Sequence, residues 1–117
     1  MQYALLFYLD ETKFSEPELE SLAGEMRAVM NQAVAAGAMP AEGQNGRLAS
    51  RQTATTQRVR DGKTVITDGP FAETKECLAG FWLVECADLD EALAWAERVP
   101  IARYGSVEVR PTRPCPA

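Results

Sequence analysis

Two short runs, Gln2 to Leu9 and Gly80 to Cys86, are apolar almost without a break and rich in aromatic side chains. Neither carries the polar face of an amphipathic helix, so each reads as a β-strand. A strand with one wet face alternates apolar and polar residues. A strand lacking that alternation has both faces covered and is central in its sheet. Whatever this chain folds into must therefore cover one sheet twice.

Two amphipathic helices supply one cover. Ser15-Glu16-Pro17-Glu18 is a helix start: Ser15 caps, Glu18 completes a capping box, and Pro17 lies where its missing N–H costs nothing. Leu19, Leu22, Met26, Val29, Met30 and Ala33 then recur at steps of three and four, with Gly37 as the stop. A second helix runs from Asp88, its cap, to Arg98, with Leu89, Ala92, Leu93, Ala96 and Val99 as the expected buried stripe and Pro100 as its end.

Between Gly37 and Thr56, Gly37, Pro40, Gly43, Asn45 and Gly46 interrupt any regular pattern. This stretch reads as a connector with one short strand near Gly46 to Ser50, either a plain solvated connector or the segment best suited to move or to line a pocket. Gln57 to Thr67 is a hairpin turning at Asp61-Gly62. Its register sets Arg60 opposite Lys63 and Arg58 opposite Val65, so three basic side chains share one face while Val59, Thr64 and Ile66 share the other. Like charges set opposite one another repel; a carboxylate or a bound anion would offset them, and a solvated basic face is the commoner arrangement. Ser106 to Arg110 alternates as a final strand with Val107 and Val109 inward, stopped by Pro111.

The order is strand, helix, strand pair, strand, helix, strand. Two helices against one face of a mostly antiparallel sheet make an α+β, ferredoxin-like two-layer sandwich. The second face is most simply covered by another copy of the chain, giving a homodimer. Residues 1–110 form the single domain and 111–117 a tail.

Residues 67–76, Thr-Asp-Gly-Pro-Phe-Ala-Glu-Thr-Lys-Glu, are the densest packet of chemistry in the chain. Gly69-Pro70 makes a turn, but a turn alone has no use for an acid, an aromatic and three more charges beside it. With Gly80-Phe81, the helix start Asp88-Leu89-Asp90-Glu91-Ala92, Pro100 and Gly105 to Pro111, the packet resembles the DGPF-domain proteins of the YCII-related group. That resemblance implies a ferredoxin-like dimer and leaves the substrate open. Some members of the group carry a His–Asp pair thought to be catalytic, and this chain has no histidine.

The missing histidine also excludes Ser-His-Asp and Cys-His catalysis. Cys77, Cys86 and Cys115 form no C-x-x-C pair, so no metal and no cofactor are expected. The first two read as small apolar side chains and Cys115 as a free thiol. A formal charge of −5 argues against nucleic acid. No apolar run approaches the length of about 20 residues that a membrane helix needs, and no signal peptide is indicated. The expected location is cytoplasmic.

If the chain has an active site, Asp68 is the residue to carry acid–base chemistry, at a strand end beside Gly69-Pro70 and an aromatic. The competing role for Asp68 is acceptor for the N–H groups of its own turn. Arg58, Arg60, Phe71, Glu73, Lys75, Glu108 and Arg110 are the candidate ligand-binding residues, and a small anionic metabolite is the candidate ligand. Three functions remain open on these residues: a small enzyme, a dimeric sensor or binding module without chemistry, and a protein-interaction module with an architectural turn.

Overall fold

The structure is a computed structural model that describes residues 1–40 and 44–116; Gly43 of the connector lies outside them. Strand β1 (Gln2–Leu9) leads into helix α1 (Glu16–Ala35) and a short strand β2 (Asn45–Arg47). A hairpin of β3 (Thr55–Arg60) and β4 (Lys63–Asp68) follows, then β5 (Cys77–Glu85), helix α2 (Leu89–Arg98) and β6 (Ser106–Pro111). The main sheet is antiparallel throughout, in the order β2-β5-β1-β6, and the two apolar runs are its central strands. With two helices, this is an α+β architecture compatible with a ferredoxin-like sandwich.

The helical side of the sheet holds the core. Tyr3, Leu5, Phe7 and Leu9 alternate inward along β1, and Trp82, Val84 and Cys86 meet them from the β5 side, packed with Leu22 and Ala33 of α1 and Ala92, Trp95 and Ala96 of α2. The rings of Phe7 and Trp82 meet edge to face at 5.1 Å, a favoured aromatic geometry. Helix α1 starts as its sequence dictates: Glu18 N donates to Ser15 Oγ at 3.3 Å, and Ser15 N donates to Glu18 Oε1 at 2.9 Å. It ends where Gly37 takes φ +77 and lets Ala38 N reach Ala33 O at 2.9 Å.

Three features differ from the sequence expectation. The hairpin is correct in register, turning at Asp61 (φ 52) and Gly62 (φ 73), but forms a separate two-stranded sheet. The edge place next to β5 goes to the connector strand β2, because Gly46 has no side chain and the Phe81 ring lies over it; a Cβ there would fall 2.7 Å from that ring. On α2 the buried stripe is Ala92, Trp95, Ala96 and Val99, while Leu89 and Leu93 are nearly half exposed. Both stripes satisfy the three- and four-residue spacing, and the small Ala92 and Ala96 let the helix approach the sheet with the indole beside it. Finally, β6 takes in Pro111 as its last residue instead of stopping before it, as a sheet edge allows where the missing N–H faces outward, and Thr112 N donates to Gln2 O at 3.0 Å just beyond.

Candidate functional site

The first polar turn after β1 begins at Asp10. Its Oδ1 accepts from Thr12 N at 3.1 Å and from Thr12 Oγ1 at 2.5 Å. These bonds, the hydroxyl's foremost, favour the ionised carboxylate and hold Asp10 below the usual carboxylate range. The next residue, Glu11, reaches across to the 37–56 connector. Its Oε1 accepts from Ser50 Oγ at 2.8 Å and Arg51 N at 3.0 Å, with Arg51 Nε at 3.8 Å. Both side chains of that pair are about four-fifths buried, at 23% and 21% exposure. The Arg51 guanidinium also donates to the carbonyl of Thr74. Glu11 and Arg51 thus tie three segments together: the turn after β1, the connector and the 67–76 packet.

The packet is anchored at its far end as well. Ser106 Oγ donates to Glu76 Oε1 at 2.7 Å, and Thr74 Oγ1 donates to Glu76 O at 2.6 Å. At its near end Gly69, with φ +96, donates through its N–H to Ala54 O at 2.7 Å, and its carbonyl accepts from Thr56 Oγ1 at 2.8 Å. Glycine is needed at that φ, and Pro70 after it turns the chain back toward Asp10.

The three tied segments enclose an open cavity of about 450 Å³, lined by Asp10, Thr12, Arg51, Gln52, Pro70, Glu73, Thr74 and Lys75. Every lining residue but Pro70 has a polar side chain. Asp10 and Glu73 offer carboxylates, Arg51 and Lys75 offer cations, and Thr12, Gln52 and Thr74 both donate and accept. Such a lining can hold a small polar molecule by several hydrogen bonds at once. Among the described residues no three His, Cys, Asp or Glu side chains converge to hold a metal ion.

Of the residues singled out in the sequence, Glu73 and Lys75 line this cavity. Asp68 does not: it is exposed at the end of β4, opposite Thr55, and no hydrogen bond reaches its carboxylate among the described residues. Phe71 is 79% exposed and forms no wall. Arg58 and Arg60 lie out on the hairpin. Glu108 and Arg110 are on the sheet face turned away from the helices, where Tyr8 Oη donates to Glu108 at 3.3 Å. Burial first, then the Glu108 charge and hydrogen bond, raise the Tyr8 phenol above its ordinary range, against the opposing pull of Arg110.

Asp10, Thr12, Arg51 and Gln52 escaped sequence reasoning as site residues. The available signals were an acid directly after a central strand and the irregular connector itself, which was expected to line a pocket and contributes Arg51 and Gln52. Nothing in the spacing of Asp10 and Arg51, forty-one positions apart, says that they converge.

The YCII-related domain matches residues 1–116. The chain is also 44% identical over 116 residues to the uncharacterized protein R00369 of Rhizobium meliloti (strain 1021), covering 95% of this chain and 91% of that one. On the extent of that match, the chain belongs to the YCII-related family.

Proposed function

We propose that this protein is a homodimeric module that binds a small polar metabolite with an anionic group in the cavity between Asp10, Arg51 and the 70–75 segment. The observation that carries the proposal is the lining: two acids, two cations and three neutral polar side chains around about 450 Å³, a volume within the range of small-molecule sites. Lys75, which has no ion-pair partner among the described residues, takes the anionic group, with Arg51 behind it. Asp10 and Glu73 accept hydrogen bonds from the ligand's donors.

Binding is favoured over turnover by the state of Asp10. A general acid or base works best with a pKa near the working pH, whereas the Thr12 hydrogen bonds hold Asp10 ionised and lower it further. A carboxylate held ionised at neutral pH is better suited to recognition than to shuttling protons. The narrower likeness to DGPF-domain proteins, resting on Asp68 to Phe71, is part of the same proposal. So is the ferredoxin-like assignment with its dimer, which is supported by Ala4, Leu6, Phe81 and Leu83, apolar side chains on the face away from the helices that one copy leaves partly exposed.

The test is a thermal-shift screen of small carboxylates, phosphates and amino acids on three proteins: wild type, Asp10→Asn and Asp68→Asn. Asp10→Asn keeps an Oδ1 for Thr12 and removes only the charge. The expected result is a ligand whose stabilisation falls in Asp10→Asn and persists in Asp68→Asn. The reverse pattern would move the site to Asp68, and a ligand that also turns over in wild type would make the protein an enzyme.

A further inference from the structure

Among the described residues the β3–β4 hairpin makes no sheet with the rest of the chain, and every residue of β4 is exposed. An isolated two-stranded hairpin is marginal in water, yet this one presents Ile66 at 64% and Val59 at 59% exposure on a single face. The molecule as a whole is extended: the radius of gyration is 16.0 Å, against about 13 Å for a compact chain of this length.

We infer that the hairpin is an arm that lies, Val59 and Ile66 inward, on the body of a second copy of this chain, extending the contact made by the open sheet face. The inference rests on the dimer proposed above. Area is the first reason. Four strands make a face about 19 Å wide and about 20 Å long, or about 400 Å². Two such faces bury only about 800 Å², short of the roughly 1,200–2,000 Å² of a stable complex. Two arms, each about 20 by 10 Å, and the surfaces beneath them add about as much again, which reaches that range.

Charge is the second reason, and it selects arm on body over arm on arm. Arg58, Arg60 and Lys63 share the arm's other face and have no ion-pair partner among the described residues. The whole chain carries −5, so the body outside this arm is strongly acidic. Two arms packed together would bring two net-positive hairpins within about one Debye length of each other. An arm along the partner's body keeps those cations on its outer face but lays a net-positive hairpin along a net-negative surface, and a two-fold axis lets both copies do so at once.

The test follows hydrogen exchange of amides 57–67 and molecular mass by sedimentation across a dilution series. Wild type is compared with a Val59→Lys/Ile66→Lys variant and with Leu83→Glu on the open sheet face. The expected result is arm amides protected in the dimer and exposed on dilution, in step with the loss of mass. The arm variant, altered only at exposed positions, stays folded and raises the dissociation constant at least about tenfold. A dimer broken by Leu83→Glu but indifferent to the arm variant, or one whose arm amides exchange freely, overturns the arm and leaves the dimer standing. A wild-type monomer at all concentrations overturns both. An arm protected in a monomer also sinks the inference, because it would need no second copy.

Discussion

Gly105 offers the sharpest test of the packing that frames the site. It immediately precedes β6, and a Cβ placed on it would fall 2.0 Å from Tyr8 O, 3.1 Å from Tyr8 C and 3.3 Å from Leu9 Cα. All three atoms are backbone of the central strand, so no side chain can rotate out of the way. For Gly105→Ala the start of β6 must retreat by about 1 Å to restore contact near 3 Å. That retreat pulls on the Tyr8–Ser106 pairing and on the Ser106–Glu76 hydrogen bond that anchors the 67–76 packet. Overpacking costs about 1–3 kcal/mol, and each weakened hydrogen bond about 1 kcal/mol more. The expected loss is therefore about 3–5 kcal/mol, a fall in melting temperature of about 12–20 °C for a domain of this size. Gly24→Ala is the control. Gly24 lies inside α1 with nothing within 4 Å of its Cβ position, so the same substitution should stabilise by about 0.5–1 kcal/mol. Urea melts of the three proteins decide. Gly105→Ala within 1 kcal/mol of wild type would refute the steric reasoning, and a destabilised Gly24→Ala would show that added helix propensity is not what the pair reports.

Other outcomes follow from particular contacts. Arg51→Met keeps the aliphatic stem but removes the donors to Glu11 and Thr74; it should cost about 2 kcal/mol, in the range for hydrogen bonds to charged groups, and abolish any ligand shift, checked by melts with and without the ligand. Leu5→Ala removes a side chain with no exposed surface and should cost about 2–5 kcal/mol in denaturant unfolding. Asp10, Glu18 and Glu20 are all held below the usual range, by Thr12, Ser15 and Arg47 respectively. Their contribution to stability is complete above the ordinary carboxylate values near 4 and is lost as pH falls through the depressed folded values. Melting temperature should hold steady from neutral pH to about pH 5 and then drop on acidification, and a rise in that interval would contradict the signs.

Much of the framework was legible because it is written locally. The two central strands follow from runs without polar positions, the start of α1 from Ser15 and Glu18, and the hairpin register from Asp61-Gly62. Each depends on residues within a few positions of one another, where backbone sterics and short-range hydrogen bonds decide. The tertiary structure decided what depends on distant partners. Only packing chose between the two stripes of α2 that the spacing permits, burying Trp95 and leaving Leu89 out. Only the sheet could give its edge to β2, since Gly46 is useful there because of Phe81, thirty-five residues away. The cavity is the extreme case. Asp10, Arg51 and Lys75 come from three segments with no common pattern, and they share one space because Glu11, Arg51 and Thr74 bind those segments together. A sequence displays the side chains that such a site uses, but which of them meet is fixed by contacts that no local rule encodes.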